Sequence, residues 1–430
     1  MLLNGARQIG KSYIIRYVGQ QLFEHYVEID LRADKDSAQI FANVRSKDDF
    51  YFQLGVIAGD NLGNKHDTLI FLDEIQVYPH LLTLLKFLNQ DHRYRYIASG
   101  SQLGVALAQT TSVPLGSVEI QQMYPLDFEE FMWAMNVGKE AIYTMRQAFI
   151  KRQSLPISTH DYIMKLFRYY LLVGGLPEAV NNFVKDKNMF NVRTVQSNIH
   201  TLYGIDASQY DKENSLKIRK IYDLIPSNLE NKKKRVVYKN IENKKGKQYS
   251  DYENEFEYLT QSGIALDVSA IRNPKFPLME STTKDLLKLY LNDVGILTFL
   301  LYRYSVDAIM NEQKSINLGT VYESVVAQEL KAHGFDRLYY YDNKQRGEVD
   351  FLIDDFNNLS VLPIEVKSGR DYTIHSALTH FTTNNEYHIN EGIVLSNARE
   401  IKTKGKITYL PIYYVMFLNN QPINNQYVLQ

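Results

Sequence analysis

Four groups of residues in this 430-residue chain have types and spacings that can do chemistry. The first is Gly5-Ala6-Arg7-Gln8-Ile9-Gly10-Lys11-Ser12, which fits G-x-x-x-x-G-K-[ST]. Its glycines let the backbone wrap closely around a phosphate, and successive N–H groups and a helix N-terminus face the anion. In such a loop Lys11 reaches the β- and γ-phosphates and the Ser12 hydroxyl ligates Mg²⁺, so the ligands it fits are ATP and Mg²⁺. The second is Leu69-Ile70-Phe71-Leu72-Asp73-Glu74, an apolar strand that delivers two carboxylates to its C-terminal end. Asp73 would hold Mg²⁺ through water and Glu74 would orient or deprotonate the attacking water. Alone, this pattern equally fits a strand ending in an acidic turn; the phosphate loop upstream gives it its meaning. The third is Ser99-Gly100-Ser101, whose hydroxyls either sense the γ-phosphate or form a plain polar turn.

The fourth group lies near the other end. Asp350, in Gly347–Ile353, and Glu365 and Lys367, in Pro363–Gly369, fall on two runs that read as a hairpin. Strand alternation puts Glu365 and Lys367 on one face with Val366 behind. Two carboxylates and a lysine on one surface are costly unless they share a cation, and oxygen ligands suit Mg²⁺ or Mn²⁺. Lys367 would position or activate water, and Glu323, on a preceding helix, adds a further ligand. A salt-bridge ladder on a hairpin edge is the alternative.

These residues need elements to position them. Met1–Asn4, His25–Leu31, Thr68–Asp73, Arg95–Ser99 and Val118–Gln122 read as strands, and Lys11–Phe23 and His80–Gln90 as helices between them. Strands separated by helices imply a parallel sheet. From Pro125 to about Tyr203 helical spacing takes over, interrupted by a turn at Gly174-Gly175-Leu176-Pro177. Helical patterns at Leu216–Leu229 and Tyr249–Ser262, then a hairpin of Ile264–Ile271 with Phe276–Met279, suggest a winged helix. The last part is α/β, with a helix over Leu318–His333 and strands at Arg337–Tyr341, Val349–Ile353, Leu362–Val366, Gly392–Leu395 and Ile412–Phe417. The resulting organisation is an α/β core over 1–135, a helical lid-like segment over 136–205, a winged-helix segment over 206–282, a helical connector over 283–310 and a second α/β domain over 311–430.

The motifs together resemble the AAA-type P-loop ATPases. More narrowly, the chain resembles a bacterial and archaeal family joining such an ATPase to a C-terminal nuclease-like domain. Gly5–Ser12, Asp73-Glu74-Ile75-Gln76, Ser99-Gly100-Ser101, Tyr124–Phe131, Gly174–Glu178 and the C-terminal carboxylates carry that likeness. Glu323, Asp350, Glu365 and Lys367 fall at the positions of the PD-(D/E)XK nuclease superfamily, a restriction-endonuclease-like α/β fold. The resemblance implies an α/β chain with metal-dependent action on nucleic acid, or a nuclease fold kept only for binding. It also implies that Pro177, in its Gly-Leu-Pro turn, touches the adenine or ribose, unless the turn is purely structural. Family members usually carry a further helix ahead of the phosphate-loop strand, so either the start is trimmed or misassigned, or the first strand and adenine pocket are incomplete. No arginine lies between Arg95 and Arg146, where AAA-type enzymes often carry a finger for a neighbouring subunit. Hydrolysis is therefore expected to be slow, and a homo-oligomer is a natural partner state.

Composition narrows the rest. With no cysteine, thiol nucleophiles and Cys-ligated zinc are excluded, which fits a cytoplasmic protein. No apolar run approaches the ~18 residues of a spanning helix, so no membrane partner is expected. The net charge of −1 conceals a basic stretch: residues 212–247 hold twelve Lys/Arg against four Asp/Glu. Lys232-Lys233-Lys234-Arg235 and Lys244-Lys245-Gly246-Lys247 would meet DNA phosphates, or serve as a basic loop for protein contacts.

Overall fold

The computed structural model describes residues 1–32, 35–64, 66–101, 103, 118–210, 215–343, 345–369 and 371–420. The chain forms two compact units, one of residues 1–124 with 260–264, the other of 125–259 with 265–430.

In the first unit β1 (Leu2–Asn4), β2 (His25–Asp30), β3 (Thr68–Asp73), β4 (Arg95–Gly100) and β5 (Ile120–Gln122) form a parallel sheet ordered β2-β3-β4-β1-β5. β3 is buried along its whole length, as a continuous apolar run with neighbours on both sides must be. Helices Lys11–Leu22, Lys47–Ala58 and Pro79–Asp91 connect the strands. Ser46 starts the second of these with a reciprocal cap: its hydroxyl accepts from Asp49 N, and the Asp49 carboxylate accepts from Ser46 N. Phe41, Phe50, Leu54, Leu82, Leu85 and Leu88 build the core on one sheet face. The parallel arrangement puts the ends of β1, β3 and β4 on one edge, where the first three groups of candidate residues sit.

The second unit opens with five helices, Phe128–Ala134, Lys139–Ile150, Ile157–Val173, Pro177–Asp186 and Met189–Tyr210. Helix Ser215–Glu230 follows, and short helices lead to Glu253–Gln261. The strands are β6 (Ala265–Ile271), β7 (Thr282–Leu291), β8 (Leu338–Asn343), β9 (Gly347–Asp355), β10 (Ser360–Lys367), β11 (Gly392–Ser396), β12 (Lys402–Lys404) and β13 (Ile407–Pro411). They make one mixed sheet ordered β12-β13-β11-β10-β9-β8-β6-β7. Helix Leu318–Ala332 is buried almost all round, polar residues included.

Two expected strands fall elsewhere. Phe276–Met279 does not pair with Ile264–Ile271, because Pro274 and Pro277 cannot extend a ladder. The partner of β6 is β7, and β6 also pairs with β8 in parallel. The hairpin expected in a winged-helix segment is thus an edge of the C-terminal sheet, and the boundary at 282 falls between two paired strands. Ile412–Phe417 is a 3₁₀ turn buried at every position, following the true strand β13. A short apolar run fits a buried strand and a buried helical turn equally well.

Candidate functional sites

Gly5–Gly10 form the loop between β1 and helix Lys11–Leu22. Gly10 has φ 96° at the helix start, a left-handed conformation that favours glycine. Lys11 is buried, and its Nζ donates to the carbonyls of Gly5 at 2.9 Å and Ala6 at 2.7 Å. Burial lowers its pKa to about 8, against the pull of Glu74 and Asp73. Ser12 Oγ donates to Asp73 Oδ2 at 2.6 Å, and Ser99 Oγ donates to Asp73 Oδ1. Arg7 Nε donates to Ser101 Oγ at 3.2 Å. Thus β1, β3 and β4 bring Lys11, Ser12, Asp73, Ser99 and Ser101 to one place. Gln8 has φ 63°, and Ala6 and Ile9 are buried.

Glu74 has φ 54°, an unusual conformation for a residue with a side chain. Its N–H donates to Asp73 Oδ1 at 2.9 Å. Its carboxylate accepts from Gln76 Nε2 at 2.6 Å and lies 3.7 Å from Arg32 Nη1. The role of Arg32 was not visible in the sequence, since it lies 42 residues before its partner.

Pro177 belongs to the second unit, at the first position of helix Pro177–Asp186. The turn before it is fixed by Asp293, whose Oδ2 accepts from Gly175 N at 2.7 Å while Oδ1 accepts from Ile296 N at 3.0 Å. Leu126 N donates to Gly175 O at 2.8 Å, and the backbone of Leu126 lies so close that Gly175 has no room for a Cβ.

The carboxylate group also lies in the second unit. β9 and β10 pair antiparallel with Phe351 opposite Ile364, so the next step brings Asp350 beside Glu365. Lys367 Nζ donates to Glu365 Oε1 at 2.7 Å, and Asp350 Oδ2 accepts from Val366 N at 2.8 Å. Glu323, on helix Leu318–Ala332, is buried and takes an ion pair from Lys234 on Oε1. Burial, then Glu323 and Glu365, push the Asp350 carboxyl well above its ordinary range, against the opposing Lys234 and Lys288. Glu365 is raised too, by burial first, with Lys367 opposing. Burial pulls Lys367 down, but Glu365 outweighs it and the pKa is raised.

The sequence reading missed Lys288, Glu348 and Lys234. Lys288 is fully buried on β7, and its Nζ pairs with Glu348 Oε1 at 2.5 Å. A signal existed: in Leu287-Lys288-Leu289-Tyr290-Leu291 alternation sets Lys288 and Tyr290 apart from Leu287, Leu289 and Leu291. Within the basic stretch Lys234 and Arg235 are partly buried in ion pairs, while Lys232, Lys233, Lys244 and Lys245 stay exposed. Lys233 lies 3.2 Å from Asp342 Oδ1, Arg235 pairs with Asp342 Oδ2, and Lys247 lies 2.8 Å from Asp251.

Among the described residues, the His and acidic groups whose ligand atoms all approach within 4.8 Å are Glu24, His25 and Asp67. Asn64 and Thr68 already engage both oxygens of Asp67. Glu323, Asp350 and Glu365 do not close to that spacing. Their donors nevertheless fit a hard divalent cation, because Glu365 Oε2 is buried with no hydrogen-bond partner among the described residues. No helix among them is long and apolar enough to cross a membrane.

Residues 1–132 match a family model described as AAA domain. The first unit carries an AAA-type P-loop domain. Residues 164–306 and 318–415 match two further models, each described as a domain of unknown function (DUF8612 and DUF4143). No curated protein matches the chain. Among solved structures, it is similar to the Aeropyrum pernix ORC1 protein in complex with DNA, at 13% identity and TM-score 0.29, covering 73% of this chain and 86% of that one. It is also similar to the Thermotoga maritima RuvB Holliday junction branch migration motor, at 15% identity and TM-score 0.27, covering 61% and 80%. For CDC6P from Pyrobaculum aerophilum the figures are 13% and 0.25, covering 72% and 87%.

Proposed function

We propose that the chain binds and hydrolyses ATP in its first unit and couples this to a metal-dependent, nuclease-like domain in its second, acting on nucleic acid. The observation that carries the first half is the Asp73 carboxylate, held between Ser12 and Ser99 beside Lys11. Lys11 exchanges its two loop carbonyls for phosphate oxygens, Ser12 and Asp73 hold Mg²⁺, and Glu74 accepts the proton of the attacking water. On this reading Ser99 and Ser101 would sense the γ-phosphate, with Arg7 beside Ser101. When bound, Mg²⁺ supplies charge neutralisation on the phosphates.

For the second half, Asp350 and Glu365 would hold a divalent ion, with Glu323 behind them, and Lys367 would position water against a phosphodiester. That ion, when bound, supplies Lewis acidity at the phosphorus centre. A second reading is a nucleotide-dependent switch whose nuclease-like domain binds a partner without cutting. It is favoured by Lys234, which covers the Glu323 carboxylate, and by the pairing of the partly buried Arg235 with Asp342. On either reading the protein acts in the cytoplasm, and the missing arginine between Arg95 and Arg146 suits a homo-oligomer or slow turnover.

The deciding experiment incubates the purified chain with single- and double-stranded DNA and RNA, with Mg²⁺ or Mn²⁺, with and without ATP. Cleavage that disappears in Asp350→Ala and ATP turnover that disappears in Lys11→Ala are the expected results. Cleavage surviving Asp350→Ala would remove the nuclease assignment; ATP turnover surviving Lys11→Ala would remove the other. Absent cleavage with intact ATP turnover selects the switch.

A further inference from the structure

More lysines answer the carboxylates than the nuclease-like pattern contains. Glu323, Glu348, Asp350 and Glu365 act on one another and on Lys234, Lys288 and Lys367. Lys367 holds Glu365 Oε1, Lys288 holds Glu348 Oε1 and Lys234 holds Glu323 Oε1. With all four carboxylates ionised, the three ammonium groups leave the cluster one positive charge short, a charge supplied either by a proton on Asp350 or by a bound cation.

That shortage has a location. Glu365 is 5% exposed, and its Oε2 has no hydrogen-bond partner among the described residues. A buried carboxylate oxygen without a partner is costly, and a cation placed there removes that cost. Asp350 is its neighbour across the hairpin. Glu323 is already satisfied, and the structure invests in keeping it so. Lys234 has φ 50°, a left-handed conformation disfavoured outside glycine. Its two neighbours, Lys233 and Arg235, both pair with Asp342, pinning the backbone on either side. The segment therefore holds the Lys234 ammonium on Glu323.

We propose that the cluster takes one divalent cation, at Asp350 and Glu365, and that Lys234 stands on Glu323 in place of a second. The inference rests on the metal-dependent reading above and adds the number of ions and the residue that sets it. The charge arithmetic favours one ion. A divalent cation turns a deficit of one into an excess of one, which the single negative charge of a phosphodiester balances. A second ion would leave an excess of three.

The test counts Mn²⁺ bound per nucleotide-free, full-length chain by electron paramagnetic resonance. The Asp350→Asn, Glu365→Gln double variant serves as the blank. One ion above the blank is expected for the natural chain and for Lys234→Arg, and two for Lys234→Gln, which frees Glu323. Two ions in the natural chain, or one still in a folded Lys234→Gln, would overturn the proposal. The natural-chain count holds whether or not Lys234→Gln folds. No ion above the blank in the natural chain removes the metal reading itself, a separate outcome.

Discussion

The two candidate sites hold their charge differently. At the phosphate loop the Asp73 carboxylate is satisfied by hydroxyls and an amide: Ser12, Ser99 and the Glu74 N–H. Neutral donors add no opposing charge, which on the proposed reading suits a magnesium ion. At the C-terminal cluster the carboxylates are answered by ammonium groups, three of them from β7, β10 and the segment after helix Ser215–Glu230. The first arrangement anticipates a ligand that brings its own cation. The second has already spent most of its negative charge internally. This is why a single ion, rather than two, suits it.

The strongest way to break the comparison is to remove a built-in cation. Lys288 is fully buried, and burial lowers its pKa less than Glu323, Glu348 and Asp350 raise it. Lys288→Met should destabilise the second unit by about 3–5 kcal/mol, since it leaves buried carboxylates uncompensated. Urea unfolding measures this. A loss under about 1 kcal/mol would mean that the lysines are ornamental and the cluster's charge is screened some other way. Next comes Lys11→Ala, where no buried carboxylate loses a direct partner. Folding should be little affected, while ATP turnover falls on the order of 10²–10³-fold, the scale for losing a preorganised charge donor. Melting curves beside a steady-state assay separate the two effects. A large loss of stability would show that Lys11 is structural.

A smaller effect is expected at Ser99. Ser99→Ala leaves Asp73 with the Ser12 hydroxyl and the Glu74 amide, so only one hydrogen bond to a charged group is lost, worth about 1.5–3 kcal/mol. If Ser99 senses the γ-phosphate, the loss falls on turnover rather than on ADP affinity. Equal weakening of ADP and ATP binding would reduce it to a scaffold for Asp73.

What the sequence disclosed follows the same division. Gly5–Ser12 is contiguous, and its partner Asp73 ends a strand that any apolar run of that kind would form. Local patterns therefore located both, and β3 spans Thr68–Asp73 as the apolar run implied. The cluster's motif residues were legible for the same reason, since alternation alone relates Glu365 to Lys367. Lys234 was not. Lys234 is one of four consecutive basic residues, and nothing local distinguishes it from Lys232 or Lys233. Its role depends on β6 and β7 joining the C-terminal sheet, a pairing of distant segments that no periodicity encodes. The missed hairpin register and the missed Lys234 are thus one failure: the reading placed residues up to 282 in a separate segment, and so separated Lys234 from Glu323.

The helix that carries Glu323 offers a control for the charge argument. Six residues on, Glu329 is fully buried, with no lysine on it. Its Oε1 accepts from Phe128 N and from the Tyr170 hydroxyl, both at 3.0 Å, and its Oε2 has no hydrogen-bond partner among the described residues. Burial, then Asp127, raise its pKa to about 8, with His333 opposing. Here a proton does what lysines do for Glu323. The sign follows from the folded pKa lying above the unfolded value near 4.5. Between those two values the unfolded chain releases a proton that the folded chain keeps. Stability therefore falls as pH rises from about 4.5 to about 8, by at most about 1.4 kcal/mol per pH unit. Glu329→Gln keeps the acceptor oxygen and removes the titration, so this part of the slope should vanish. The variant should gain on the natural chain as pH rises through that window. Thermal melts at pH 5, 6.5 and 8 read the difference, and parallel curves would mean that Glu329 is charged and that buried carboxylates here tolerate ionisation without lysine. That result would also weaken the case for Lys234 as a stand-in cation, because Glu323 would then have no need of one.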